Sequence, residues 1–404
     1  MDYKFSDSLK NMKPSEIREL LKYARAKNFI SLSGGMPSPD SFPYSDLKEI
    51  INEVIDNYGS LALQYGNTGG LNELRQEIGR LVKETESFTA NEMQILVTSG
   101  SQQGLYELAK VMANPGDAII TEEPTYVGAI SAFDANKLDM HSVPMDDNGL
   151  LTEELEAEIV KLSRSGKKPK FIYTIPTFQN PTGLTMSLER RKHLLEISYK
   201  YEIPVVEDNP YGELRFEGSR VPSIKSLDTQ ESVIYLGTFS KIMCPGFRIG
   251  FTIAPESYTN RANLLKQALD LSSSTFSQYV AWLYLKRDVI KRMIPRAVSM
   301  YRKKKDAMLK ALEQNFPEGS TWSRPKGGMF IWAKIHPKIN TTEMLAEAVQ
   351  EGVSYVSGNS FSPSRSQGNA MRLNFTFPTE EQISEGISKI SRIIERRIEV
   401  MKTA

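Results

Sequence analysis

Cysteine is all but missing: Cys244 is the only one in 404 residues. That excludes an internal disulfide and fits a reducing compartment, so a cytoplasmic location is expected. Histidine is scarce too, with only His141, His193 and His336. So few imidazoles and one thiol leave little for a zinc site and argue against a serine–histidine–aspartate hydrolase. Acid–base chemistry here has to fall to another side chain. Neither sign of charge dominates, with Lys plus Arg at 50 against 49 for Asp plus Glu, so no basic excess points to nucleic acid or an anionic membrane. No apolar run is long enough to span a bilayer. The opening Met-Asp-Tyr-Lys-Phe-Ser-Asp-Ser-Leu-Lys mixes charges and has no apolar stretch like that of a signal peptide. Internal repeats and low-complexity tracts are absent as well.

What remains is an ordinary globular composition, 40% hydrophobic and 25% charged, long enough for about two or three domains. Between residues 92 and 253 short apolar runs alternate with helix-like stretches. The runs are 94–98, 117–121, 170–175, 203–207, 233–236 and 248–253; period near 3.6 marks Gly104–Met112, Glu153–Leu162 and Leu188–Tyr199. That alternation predicts an α/β domain with a mainly parallel sheet, whose ligands gather at the carboxyl ends of the strands. One long basic helical region is expected over 284–314. Strands at 328–335 and 371–377, with helices near 341–351 and 379–402, predict a smaller α+β domain. An amphipathic helix is expected at Ser15–Lys27, ahead of the Gly- and Pro-rich segment 33–43.

The chemistry concentrates in Leu-Gly-Thr-Phe-Ser-Lys-Ile-Met-Cys-Pro-Gly-Phe-Arg-Ile-Gly (236–250). Lys241 stands among Thr238, Ser240 and Arg248, groups that suit a phosphate dianion. A lysine beside such a cup can reach an aldehyde on a phosphorylated ligand, the requirement for a Schiff-base lysine carrying pyridoxal phosphate. A solvated lysine in a polar turn is the plain alternative. Ser101 and Gln102 open a helix after an apolar run, where free N–H groups favour an anion. Asp208 closes the run Ile-Pro-Val-Val-Glu, and a carboxylate there needs a cation such as a protonated pyridine nitrogen, unless it merely caps a turn. Tyr211 and Asn180 can hydrogen-bond a ring oxygen, although Asn-Pro also reads as a turn initiator. Tyr126 can stack on a heterocycle or simply fill a core. Arg372, amid apolar residues, calls for a planar anion such as an α-carboxylate, or for a structural ion pair.

Taken in order, Ser33-Gly34-Gly35, Gln64-Tyr65-Gly66, Gly100-Ser101-Gln102, Pro124-Thr125-Tyr126, Asn180-Pro181-Thr182-Gly183, Asp208-Asn209-Pro210-Tyr211, Ser240-Lys241, Pro245-Gly246-Phe247-Arg248, Pro325-Lys326-Gly327-Gly328-Met329-Phe330 and Arg372 resemble the class I/II aminotransferases of the fold-type I pyridoxal-phosphate enzymes. The resemblance spans nearly the whole chain. Residues 15–22 and 30–39 look most like the 2-aminoadipate/kynurenine group. The resemblance implies a large cofactor-binding domain over 46–290 and a small one over 291–404, with the arm 1–45 joined to the small domain. It also implies a homodimer. By it, Lys241 holds pyridoxal 5'-phosphate and later carries the α-proton, Asp208 faces the ring nitrogen, and Tyr211 and Asn180 meet the ring oxygen. Tyr126 stacks, while Ser101, Gln102, Thr238, Ser240 and Arg248 hold the phosphate, with Thr238 standing where many relatives have serine. Arg372 and Asn180 take the α-carboxylate. Gly35 and Arg18 lie by the substrate, and Tyr65 reaches the partner subunit's site. The implied reaction moves an amino group from an aromatic amino acid, kynurenine or 2-aminoadipate to 2-oxoglutarate by a ping-pong route. Alternatives are another pyridoxal-phosphate reaction (β-lyase or decarboxylase) or the effector domain of a transcription regulator. The regulator would need a DNA-binding module ahead of Ser33, where only about 30 residues stand.

Overall fold

The computed structural model of the chain describes residues 3–5, 16–22 and 29–403, apart from the side chains of residues 17, 18 and 21. After β1 (Ile30–Ser31), eight strands build the central sheet: β2 (Ile95–Thr98), β3 (Ala118–Glu123), β4 (Asp139–Asp146), β5 (Gly149–Leu150), β6 (Ile172–Thr174), β7 (Val205–Asp208), β8 (Val233–Thr238) and β9 (Gly250–Ile253). Their order is β2-β9-β8-β7-β6-β3-β4-β5. The run from β8 through β7, β6 and β3 to β4 is parallel, while β9 runs antiparallel to β8 and β2. Strands β2, β7, β8 and β9 are buried at every position. That is the signature of a sheet covered by helices on both faces, and it explains why these runs carry no alternating polar pattern.

Polar side chains gather at one edge. Thr98, Thr174, Asp208 and Thr238 each close their strand, so the carboxyl ends of β2, β6, β7 and β8 present side-chain oxygens together. Strand β9 enters that edge at Gly250, where a Cβ would lie 2.7 Å from the backbone of Gly100 and Ser101. Only glycine lets the two chains approach so closely.

A second sheet, β10 (Thr321–Trp322), β11 (Phe330–Lys334), β14 (Ala370–Asn374) and β13 (Val356–Ser357), is antiparallel in the order β10-β11-β14-β13. Strand β1 pairs in parallel with β12 (Val353–Ser354). Ile30 and Leu32 thereby join an apolar core with the helices Val289–Asn315 and Glu380–Thr403. In the latter, Ile383, Ile387, Ile390 and Ile394 recur at helical spacing and are fully buried.

The single helix expected over 284–314 is two, Thr275–Lys286 and Val289–Asn315. The break is at Asp288, whose φ of 52° is left-handed. Neither Gly nor Pro marks it, whereas Pro295, which would be expected to interrupt a helix, lies inside one. Strands β4 and β5 were not anticipated: β4 is only partly buried and carries Asp, His and Pro. The N-terminal helix is described over Glu16–Leu21, and Ser15 and residues 23–27 of the predicted stretch lie outside the described residues.

Candidate active site

Lys241 lies three residues beyond β8 and points back across the sheet edge, its Nζ donating to the carbonyl of Gly35 at 2.7 Å. Burial first, then the positive charges of Arg372 and Arg248, hold its ammonium down to about 8. An amine so placed is within reach of neutrality in ordinary conditions. Asp208, at the end of β7, is buried; its Oδ2 accepts the Tyr173 hydroxyl at 2.9 Å, and its Oδ1 has no partner. Burial pushes its carboxyl up to about 7. An unmatched buried acceptor costs on the order of 1–3 kcal/mol, which a ligand's N–H would recover.

Arg372, on β14 opposite Trp332 and Val356, is 1% exposed. Its Nη1 donates to Asn180 Oδ1 at 2.9 Å and its Nη2 to the Ser33 carbonyl at 2.6 Å, while Nε is unpartnered. The guanidinium carbon stands 4.1 Å from the centre of the Phe330 ring and 4.9 Å from that of Phe361. Two aromatic faces stabilise the cation; no carboxylate among the described residues pairs with it directly, Glu16 acting only at longer range, and burial draws its pKa down to about 10. Asn180 bridges onward, its Nδ2 donating to the Tyr211 hydroxyl at 3.2 Å. Tyr126 is near enough to Tyr211, Tyr173 and Arg372 to act on their charge.

On the other side of Lys241, Thr238 Oγ1 donates to Ser240 Oγ at 3.1 Å. Arg248 reaches Ser240 Oγ and the Ser99 carbonyl, each at 3.4 Å. Gly100, with φ of 81°, turns the chain into the helix Ser101–Met112, and a Cβ there would come within 2.3 Å of Arg248 Nη2. Gln102 Nε2 donates to the Gly128 carbonyl at 2.7 Å, tying this turn to the Tyr126 segment. Hydroxyls, a guanidinium and the first turn of a helix therefore face one small space beside Lys241. An unmatched carboxylate at one end, an amine in the middle and an anion cup at the other fit pyridoxal 5'-phosphate.

One predicted residue stands apart, and the side chain of another is not described. Tyr65 is 84% exposed, away from this cluster within one subunit. Arg18 is on the described helix Glu16–Leu21, with its side chain outside the described residues. Other contributors went unread. Tyr173 faces Asp208 because β6 and β7 pair in register, with Tyr173 opposite Val206. Glu122 is buried, accepts from Thr174, and holds Gln179 Nε2 at 3.1 Å, next to Asn180. Glu16 accepts from the backbone N–H of Ser357 at 2.6 Å and from the hydroxyls of Ser357 and Ser360 at 2.7 and 2.9 Å. It thereby fastens the N-terminal helix to the segment that carries Phe361.

Residues 27–390 match the family model for aminotransferase class I and II. The chain belongs to that family. The aminotransferase is 45% identical over 400 residues to aromatic-amino-acid aminotransferase 1 of Thermococcus litoralis, covering 98% of this chain and 96% of the relative. The Pyrococcus horikoshii kynurenine aminotransferase, solved with pyridoxamine phosphate (PMP), is 42% identical with a TM-score of 0.93, covering 97% of both chains. The α-aminoadipate aminotransferase of Thermus thermophilus, solved with N-(5'-phosphopyridoxyl)-L-leucine, is 32% identical with a TM-score of 0.90 over 98% of both. The fold is that of the pyridoxal-phosphate aminotransferases, and pyridoxal 5'-phosphate is the cofactor. Among the described residues no helix is long and apolar enough to cross a membrane.

Proposed function

We propose that this aminotransferase moves the amino group of an aromatic amino acid, kynurenine or 2-aminoadipate to 2-oxoglutarate by a ping-pong route. The observation that carries the reading is Arg372, a buried cation with a free Nε and aromatic faces on its flanks, close to Lys241. A substrate α-carboxylate supplies the missing negative charge, and Asn180 fixes its plane. Substrate breadth follows the names of the relatives, which span aromatic, kynurenine and aminoadipate donors.

When bound, pyridoxal phosphate supplies the aldehyde that takes the amino group and a ring that accepts the electrons released at Cα. Asp208 holds the ring nitrogen protonated, with Tyr173 orienting the carboxylate. Tyr211 and Asn180 would meet the ring oxygen, and Tyr126 would stack on the ring. Ser101, Gln102, Thr238, Ser240 and Arg248 hold the phosphate. The Lys241 amine, brought toward neutrality by burial and then by its two guanidinium neighbours, takes the proton from Cα and returns it elsewhere, the work that a histidine performs in other enzymes. Gly35, whose carbonyl steadies that amine, borders the substrate.

Arg18 is assigned to the side chain, since a guanidinium can pair with a distal carboxylate or lie over an aromatic ring. Arg18→Gln is expected to weaken 2-oxoglutarate and 2-aminoadipate far more than an aromatic donor, whereas Arg372→Ala weakens every substrate. Equal losses across substrates in the Arg18 variant would move side-chain recognition elsewhere. The same reading places the enzyme in the cytoplasm, given its single cysteine. It divides the chain into a large domain over 46–290 and a small one over 291–404, which takes up the arm 1–45 through Ile30 and Leu32. The homodimer also belongs here. Tyr65, Leu61, Leu63, Leu264, Leu269 and Leu271 are all exposed, on segments that meet where Gly66 abuts Thr275. The decisive experiment is a donor panel with 2-oxoglutarate, reading glutamate. Glutamate from aromatic or aminoadipate donors is the expected result; pyruvate and ammonia, or carbon dioxide, without glutamate would assign elimination or decarboxylation instead.

A further inference from the structure

Beneath the phosphate cup lies a charged network that the proposed chemistry does not use. Lys266, in the last turn of the helix Glu256–Leu269, is fully buried. Its ammonium donates to Gln103 Oε1 at 2.9 Å, to both oxygens of Asp270 at 2.9 and 3.0 Å, and to Ser273 Oγ at 3.1 Å. Gln103 Oε1 also accepts the Ser99 backbone N–H at 2.7 Å, and its Nε2 donates to Asp270 Oδ2 at 2.8 Å. The Ser99 hydroxyl reaches Asp270 Oδ2 at 3.0 Å and Ser273 Oγ at 3.1 Å. The Ser99 carbonyl, in turn, accepts from Arg248.

We propose that Lys266 is a positioning residue for the cofactor phosphate. It acts through Gln103 on the turn Ser99–Gly100–Ser101 and does not touch the ligand. The geometry gives the reason for a cation. An amide side chain has two orientations of nearly equal shape, and only one puts oxygen toward Ser99 N–H. The ammonium on one side and the Asp270 carboxylate on the other lock that orientation. Lys266 and Asp270 cancel in charge, so the pair adds no attraction for phosphate and works by fixing the turn. Without Lys266 the turn loses its anchor, and Asp270 is left as an uncompensated carboxylate beside a dianion's site.

This rests on the assignment of Ser101, Ser240 and Arg248 to the phosphate, and the test separates the two. Cofactor-free protein is titrated with pyridoxal phosphate and with pyridoxal, which has the same ring and aldehyde but no phosphate, following absorbance. Lys266→Met is expected to weaken pyridoxal phosphate at least tenfold and pyridoxal less than twofold. Gln103→Leu, which buries no orphaned charge, is expected to do the same, and it carries the test if Lys266→Met does not fold. Equal weakening of both ligands, or of neither, overturns the proposal when Arg248→Ala still discriminates between them. If Arg248→Ala fails to discriminate as well, the phosphate assignment itself falls, and this proposal with it.

Discussion

At the scale of single residues, the site is governed by charges placed where water cannot answer them. Asp208 and Arg372 each keep one buried polar atom without a partner, and both recover that loss when cofactor and substrate bring their own charges. Asp208→Asn keeps the shape and removes the charge. Electrostatic stabilisation of the usual ~3–4 kcal/mol predicts a turnover loss on the order of a hundredfold or more with cofactor still bound. Near-normal turnover would show that this carboxylate does not serve the ring nitrogen. Lys241 has its own check: borohydride reduction of the yellow enzyme should leave the cofactor on Lys241 in a peptide map, and label on any other lysine would unseat it. Asp208 and Lys241 were legible because each sits in a short motif tied to a strand end, and Arg372 because it stands amid apolar residues. Tyr173 and Glu122 were not, since what gives them a role is the pairing of β6 with β7 and the packing of Gln179. Neither relation is written in local sequence. Arg18 is named by resemblance alone.

Among the elements, the helix Ser101–Met112 shows how a cofactor turn is supported from behind. Its buried face carries Glu107, which is 1% exposed with both carboxylate oxygens unpartnered. Burial pushes this acid up to about 8, against the pull of Lys266. In the unfolded chain it would titrate near ~4.3. The folded protein therefore holds a proton that the unfolded one releases, so stability is complete below that lower value and is lost as pH rises toward 8. Glu107→Gln removes this titration. Its thermal midpoint should fall less than the wild type's between pH 5 and 8; parallel curves would place the proton elsewhere. Periodicity made this helix visible, as it did the helix Leu188–Tyr201. It could not reveal the break at Asp288, because a left-handed residue without glycine is a choice made by the tertiary fold. The exposed, mixed composition of β4 hid that strand for the opposite reason: it is not buried enough to read as an apolar run.

At the scale of the whole molecule, the proposed dimer bears on the cofactor site. The central sheet and its helical covers were foreshadowed by alternating runs, because burial on both faces leaves a compositional trace. Association leaves a weaker one. Tyr65 is 84% exposed, and Leu63 and Leu61, just before it, are 71% and 60% exposed. Leu271 and Leu264, on the segment that Gly66 approaches at Thr275, are 58% and 57% exposed. Scattered apolar side chains need no explanation, but several large ones on two touching segments do. That second segment also holds Asp270 and Ser273, which bind Ser99 of the phosphate turn. A partner seated here would cover the leucines and, in the proposed dimer, bring its own Tyr65 to the cofactor site. Leu61→Glu combined with Leu271→Glu should therefore convert a dimer to a monomer in sedimentation. It should also cost cofactor affinity at least tenfold, while Tyr65→Phe keeps the dimer and weakens only the phosphate-bearing ligand. A double variant that stays dimeric, or a monomer that binds pyridoxal phosphate as tightly as before, would mean that each subunit holds its cofactor alone.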